Sequence, residues 1–174
     1  MYSRETLDLA ADLVAACRTQ DVLIATAESC TGGLIAGAIT AVSGASAVFE
    51  RGFNTYSNAA KNELLGVSLD DIEAHGAVSS PVARQMAEGA LDAAPVQLAT
   101  AVTGIAGPDG GTEEKPVGTV HIAAAYAIRA AQGDIGVGQR RHVLLDHRFV
   151  FPGNRDAVRF ASVNEALKMM SGLL

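Results

Sequence analysis

A short apolar run, Val22-Leu23-Ile24-Ala25, leads through Glu28-Ser29-Cys30-Thr31-Gly32-Gly33 into the alanine-rich segment Leu34-Ile35-Ala36-Gly37-Ala38-Ile39. This order constrains the fold more than any other feature of the chain. It reads as strand, tight turn and helix, the unit from which α/β domains are built. The paired glycines let the main chain take φ > 0 and allow a ligand to come close. Backbone N–H groups at such a helix start are aimed at an anion or a developing oxyanion, and a hydroxyl placed among them is a candidate nucleophile. The plainer alternative is a capped helix, with Ser29 or Thr31 as N-cap and the glycines serving close packing.

The rest of the chain repeats this alternation. Residues 3–20 carry Leu7, Ala10, Ala11, Val14 and Cys17 at helical spacing behind a capping Ser3. A strand over 22–27 and a helix over 31–42 follow, then an extended stretch over 48–56. Asn58 caps a short helix that stops at Gly66. Ser68 opens another that ends at His75-Gly76, and Ser80-Pro81 starts a longer one to about residue 93. Residues 98–105 read as a buried strand and 107–118 as a glycine- and proline-rich loop. Residues 119–128 and 142–151 read as two strands pairing antiparallel across a linker over 130–141. Asn154 caps a last helix whose apolar side is Val158, Ala161, Ala166, Leu167 and Met170. About five strands with helices on both faces predict an α/β fold, a three-layer α/β/α sandwich with a mixed sheet.

Composition narrows the function classes. With 174 residues and 49% hydrophobic content, residues 1–174 suit one domain, able to bury roughly two-thirds of its unfolded surface. A net charge of −6 argues against coating nucleic acid, and Arg140-Arg141-His142 is too short to reverse that. Cys17 and Cys30 have no paired spacing, which fits a reducing compartment. Met1-Tyr2-Ser3-Arg4-Glu5 begins an amphipathic helix with no apolar signal core, and no apolar run approaches membrane-spanning length, so a cytoplasmic protein without a membrane partner is expected. His75, His121, His142 and His147 lack metal-ligand spacing, and no metal is assigned. The Ser29 turn lacks the Gly-Lys-Ser/Thr ending of a nucleoside-triphosphate loop. Gly104-Ile105-Ala106-Gly107 lacks dinucleotide spacing, so neither ATP nor NAD is expected as a cofactor.

Three further clusters are candidates to share a site with Ser29. In Tyr56-Ser57-Asn58-Ala59-Ala60-Lys61 the lysine falls in a first helical turn, where the macrodipole opposes its charge. Partly buried there, it favours the neutral form a base needs; the alternative is a solvated surface lysine. Thr103-Gly104-Ile105-Ala106-Gly107-Pro108-Asp109-Gly110-Gly111 closes a buried strand, at the carboxyl edge where α/β sheets bind ligands, or else is a mobile connection. Gly153-Asn154-Arg155-Asp156 puts an arginine at a helix start, suited to a phosphate, or to a surface pair with a glutamate.

Taken with Phe49-Glu50-Arg51-Gly52-Phe53, Thr55-Tyr56-Ser57-Asn58, His75-Gly76-Ala77-Val78-Ser79 and Lys115-Pro116-Val117-Gly118-Thr119-Val120, these motifs resemble the CinA carboxy-terminal domain family over about residues 5–170. The resemblance implies a bacterial amidohydrolase of pyridine-nucleotide salvage, converting nicotinamide mononucleotide and water to nicotinate mononucleotide and ammonia without a cofactor. It also implies an anticodon-binding-domain-like sheet topology and the short form of the family, without an amino-terminal molybdopterin-binding-like domain. The family's serine and lysine fall on Ser29 and Lys61, with Tyr56 nearby and Arg155 for the phosphate. In that reading Lys61 takes the proton of Ser29 as it attacks the carboxamide, and backbone N–H groups over Cys30, Thr31, Gly32 and Gly33 hold the oxyanion. Tyr56 bonds the Lys–Ser pair or the amide, and Thr103 with Gly104 and Gly107 holds ribose or ring. A homodimer is expected. Between Ala127 and His147 the chain is longer and less regular than the family's usual connection. The alternatives are a non-catalytic nucleotide-binding regulatory module and an amidase for a different carboxamide.

Overall fold

The computed structural model describes residues 2–128 and 142–174; the predicted linker over 130–141 lies outside the described residues. The first helix, α1 (Arg4–Gln20), starts where expected. The Ser3 hydroxyl accepts from the Thr6 N–H at 3.1 Å, and the helix carries Glu5 in its first turn and Arg18 in its last, matching the dipole. Its buried stripe is Thr6, Ala10, Leu13, Val14 and Cys17. Ala11, predicted inward, faces solvent, and Leu13 takes its place.

Five strands form one sheet: β1 (Ile24–Glu28), β2 (Phe49–Asn54), β3 (Leu98–Gly104), β4 (Thr119–Ala127) and β5 (His142–Val150). Their spatial order is β2-β1-β3-β4-β5. β1 runs parallel to both its neighbours, and β4 runs antiparallel to β3 and β5. The mixed sheet and the β4–β5 antiparallel pair agree with the sequence reading. Strands β1 and β3 are buried on both faces, so their sequences do not alternate apolar with exposed polar residues; their polar members, Thr26, Glu28, Thr100 and Thr103, are buried too.

The two faces differ in size of side chain. One is covered by α1, α2 (Leu34–Thr40) and α6 (Arg155–Ser171), over Ile24, Leu98, Val102, Val120 and Ile122. The other is floored by Ala25, Ala27, Ala99, Ala101, Ala123 and Ala125 beneath α5 (Ser80–Ala93), with Leu65 of α3 (Asn58–Leu65) and Ile72 of α4 (Leu69–His75) in the same cluster. Small residues here let α5 sit close. Gly89 extends that closeness to α3: a Cβ on it would lie 2.0 Å from the Leu65 carbonyl oxygen. This backbone contact fixes α3, the helix that carries Lys61, against α5.

Local caps differ from the expectations in two places. Ser57, one residue before the predicted Asn58, caps α3 by accepting from the Ala60 N–H at 3.0 Å. Neither Ser29 nor Thr31 caps α2, whose N-cap is Gly33 at φ 94° with no side-chain cap of its own. The helix is served from the preceding strand instead. Among the described residues no helix is long and apolar enough to cross a membrane.

Candidate active site

Strand β1 ends on Glu28, and the chain then turns at the carboxyl edge of the sheet. The Ser29 N–H donates to the Val102 carbonyl at 3.0 Å, so the serine is held as the last rung between β1 and β3. Beneath it, the fully buried Glu28 carboxylate accepts from three backbone N–H groups: Gly33 at 2.9 Å, Ile35 at 3.0 Å and Ala36 at 2.9 Å. A buried anion is tolerable here because it sits on the positive end of α2 with its lone pairs satisfied. Glu28 is therefore the cap that the sequence reading sought in Ser29 or Thr31. The signal was present: an acid at a strand end, followed by a helix start occupied by glycine.

Above the turn lies Lys61, 1% exposed. Its Nζ is 3.1 Å from Ser29 Oγ and 2.9 Å from the Thr55 carbonyl oxygen, with the Tyr56 carbonyl at 3.5 Å, the limit of a hydrogen bond. No carboxylate pairs with it among the described residues. Burial holds its pKa below the ordinary lysine value, opposed by the Cys30 thiol group. The arrangement fits a neutral amine, which donates two N–H bonds to the carbonyls and turns its lone pair to the serine hydroxyl. The solvated surface lysine is excluded. Thr55 joins the two buried ionisable groups through its backbone, since its N–H donates to the Glu28 carbonyl at 2.9 Å while its own carbonyl accepts from Lys61.

The turn offers fewer free donors than the sequence suggests. The Gly32 N–H donates to the Ser29 carbonyl at 3.1 Å, and the Gly33 N–H is held by Glu28. Of the oxyanion donors expected over Cys30, Thr31, Gly32 and Gly33, the last two are thus engaged, while the N–H groups of Cys30 and Thr31 bond no other residue among the described ones. The glycines serve the bend, with φ of 59° and 94°. Cys30 keeps its side chain 5% exposed, and burial pushes its thiol up to about 12, so it is no thiolate nucleophile.

Sequence reasoning missed Arg159. From the second turn of α6 it donates through Nε to the Cys30 carbonyl at 3.1 Å and through Nη2 to the Thr31 carbonyl at 3.0 Å, with Asp156 at 3.7 Å. The Cys30 carbonyl shares a planar trans peptide with the Thr31 N–H, so holding the one turns the other the opposite way. Its position four residues after Arg155, on the same helix face, was the available clue.

Arg155 itself is not in a surface pair with a glutamate. Nη1 donates to the Gly107 carbonyl at 2.9 Å and Nη2 to the Tyr56 hydroxyl at 3.1 Å. This brings together three predicted residues from α6, the glycine loop and the β2–α3 connection. Of the two roles expected for Tyr56, its hydroxyl does not form the bond to the Lys–Ser pair: the residue is 66% exposed, its hydroxyl meets Arg155, and only its backbone carbonyl approaches Lys61. Thr103 is buried and its hydroxyl donates to the Ala77 carbonyl at 2.8 Å, so the side chain ties two loops and does not reach out for ribose. Gly104 has no room for a side chain, since a Cβ would meet Val120 Cγ2 at 2.7 Å. Gly107, at φ 81°, turns the loop so that its carbonyl reaches Arg155. Among the described residues no cluster of His, Cys, Asp or Glu could hold a metal ion.

The family model of the CinA C-terminal domain matches residues 6–174. The chain belongs to the CinA C-terminal domain family. Within it, the chain is 45% identical over 170 residues to a nicotinamide-nucleotide amidohydrolase PncC of Escherichia coli (strain K12), covering 98% of this chain and 95% of that one. It is 52% identical over 147 residues to a putative competence-damage inducible protein of Symbiobacterium thermophilum, covering 84% of this chain but 33% of the relative. The crystal structure of the competence/damage inducible protein CihA from Agrobacterium tumefaciens superposes with a TM-score of 0.87 at 42% identity, covering 99% of this chain and 98% of that one. The family's α/β fold with a mixed five-stranded sheet is thus the fold of this chain.

Proposed function

We propose that the chain is a nicotinamide-nucleotide amidohydrolase, converting nicotinamide mononucleotide and water to nicotinate mononucleotide and ammonia in pyridine-nucleotide salvage. The observation that carries this reading is the pairing of a buried, uncompensated amine with a turn serine, Lys61 Nζ to Ser29 Oγ at 3.1 Å. The relative named nicotinamide-nucleotide amidohydrolase, matched nearly end to end, supports the substrate class.

The chemistry follows from the groups in place. Neutral Lys61 removes the Ser29 proton as Oγ bonds to the carboxamide carbon, and the N–H groups of Cys30 and Thr31 receive the negative charge that develops on oxygen. The lysine ammonium gives its proton to the departing nitrogen, releasing ammonia. Water, deprotonated by the same lysine, then cleaves the acyl-enzyme and frees Ser29. The cationic pyridinium withdraws electrons from the carboxamide and eases the first attack. Arg155 holds the 5′-phosphate, a stronger acceptor than the Gly107 carbonyl and Tyr56 hydroxyl it bonds in the free protein. No step calls for a cofactor. The proposal treats the chain as one cytoplasmic domain that pairs into a homodimer.

Ammonia release from nicotinamide mononucleotide, its riboside, free nicotinamide and unrelated carboxamides is the direct test. The mononucleotide is expected to be the best substrate and Ser29→Ala to abolish its turnover. Absence of ammonia release from the mononucleotide, or full activity in Ser29→Ala, overturns the reading.

A further inference from the structure

The start of α5 opens onto a second polar pocket, of about 380 Å³, which the Ser29 chemistry does not use. Its walls include His75 at the end of α4, Ser79 and Ser80 at the start of α5, Lys115 from the loop before β4, His121 on β4 and Arg148 on β5. Glu114 is the acidic residue on its wall. The volume falls within the usual range for small-ligand sites, about 300–1,000 Å³.

His121 is the group that asks for an explanation. It is 8% exposed, and its Nδ1 has no hydrogen-bond partner among the described residues. Buried polar atoms are normally paired. The neighbours of His121 are engaged elsewhere. Arg148, directly opposite on β5, donates to the Glu114 carbonyl at 2.7 Å, and Lys115 donates to the His75 carbonyl at 2.7 Å. Thr103, opposite on β3, donates to Ala77.

The helix start is likewise uncompensated by its own residues. The Ser79 hydroxyl donates to the Gly76 carbonyl at 2.8 Å instead of capping α5, and the first turn holds no acid. The Asp146 carboxylate on β5 accepts from Ser80 Oγ at 2.7 Å and lies 3.8 Å from Arg84 Nη1, so its charge is balanced within the fold.

We propose that this pocket binds a phosphate-type oxyanion, free or as the end of a phosphomonoester, held by His121, Lys115 and Arg148 against the N-terminus of α5. Lysine and arginine supply donors and charge, the helix start adds the positive end of its dipole, and the imidazole supplies a further N–H. Burial holds the His121 pKa below its ordinary value, and Arg148 and Lys115 push the same way against Asp146. The other charged and titratable groups lining the pocket are His75, with Asp71 of α4 at 3.9 Å from it, and Glu114 of the loop; Arg84 of α5 lies behind them against Asp146 at 3.8 Å. An anion seated between the two cations offsets their repulsion of a protonated ring, so binding is coupled to proton uptake by His121.

Proton NMR of the imidazoles, with the His121 signal assigned through His121→Gln, tests this in the full chain. Sulfate is the first probe because it stays divalent across the titration. Sulfate is expected to raise the pKa of His121. Lys115→Gln or Arg148→Gln is expected to weaken sulfate binding about tenfold, the loss of one charge-assisted bond. Arg155→Ala, which removes the phosphate contact proposed at the active site, should leave this response intact. Ribose 5-phosphate that displaces sulfate identifies a phosphomonoester as the ligand; inorganic phosphate that displaces it where ribose 5-phosphate fails identifies the free ion. A His121 signal indifferent to sulfate and phosphate in the parent protein overturns the proposal, whatever becomes of the variants. So does a response lost in Arg155→Ala but kept in Lys115→Gln.

Discussion

Two buried ionisable side chains flank the same turn, and they are treated in opposite ways. Glu28, beneath it, has its carboxylate wrapped by three backbone N–H groups at a helix start. Lys61, above it, has two carbonyls and a serine hydroxyl around Nζ and, among the described residues, no opposite charge. A satisfied buried charge is structural, because the fold has already compensated its desolvation. A buried amine without a counter-charge has its neutral form favoured, and that is the form able to take a proton. The comparison predicts that the two residues separate under mutation, one through activity and the other through stability.

The largest effect is expected at the pair itself. Ser29→Ala and Lys61→Met should each lower kcat by on the order of 10³-fold or more, since the proposed nucleophile and base would act as one unit, with losses that are not additive. The double variant should be scarcely worse than either single one. Lys61→Arg should be nearly as poor, because guanidinium does not deprotonate in this range. Activity in Lys61→Arg equal to that of the parent would show that a positive charge, not a base, is needed there.

Stability should move the other way at Lys61. Its folded pKa lies below the unfolded value of about 10.4, so the unfolded chain binds more protons between the two. The penalty for burying the amine is full below the folded pKa and lifts as pH rises toward the unfolded one. Lys61→Met is therefore expected to match or exceed the parent in denaturant melts at neutral pH, with the gap closing as pH rises. In the same window kcat of the parent should climb through the folded pKa of the lysine. A flat rate profile together with a constant stability gap would break the assignment. Glu28→Gln is the counterpart. Replacing a charged acceptor of three N–H bonds by an amide should destabilise by about 2–4 kcal/mol, and activity should fall only as far as the turn loosens.

Arg155 comes next. Its proposed contact is to a part of the substrate remote from the reacting carbon, which would bind ground and transition states alike. Arg155→Ala should raise KM for the mononucleotide about tenfold or more with kcat little changed, the loss of a charge-assisted contact of roughly 1.5–3 kcal/mol. Preference for the mononucleotide over the riboside should fall with it. An unchanged ratio would place the phosphate elsewhere.

Much of this was legible in the sequence, and the parts that were not share a cause. Strand order at the β4–β5 pair, the caps at Ser3 and Asn154, and the closeness of Ser29 to Lys61 all follow from local patterns or from the motif string. The roles of Glu28 and Arg159 did not, because each acts through backbone groups of another element and carries no periodicity of its own. The same reason explains the overcount of oxyanion donors: whether the N–H groups of Gly32 and Gly33 are free depends on partners that only the folded turn reveals. Thr103 was misjudged likewise, its hydroxyl turned to Ala77 by a loop 26 residues away in sequence.

The smallest effect is expected at Cys30, and it sharpens the comparison because the thiol adjoins the serine. A thiol is intrinsically the better nucleophile, so adjacency alone would favour Cys30 over Ser29. The fold removes that advantage. With its pKa pushed up to about 12 by burial, the thiolate fraction near pH 8 is about one part in ten thousand. The side chain also belongs to the core cluster packed under α1, α2 and α6. Cys30→Ser keeps the volume nearly unchanged and leaves the Cys30 backbone N–H, the one group of this residue used in the proposed chemistry. Its kcat/KM should stay within about threefold of the parent, the residual loss coming from a hydroxyl buried without a partner. Labelling with a thiol reagent at neutral pH should be slow in the folded protein and become fast on unfolding. A large loss in Cys30→Ser with the fold intact, or rapid labelling that abolishes activity in the native state, would move the nucleophile one residue along the turn and leave Lys61 serving the wrong partner.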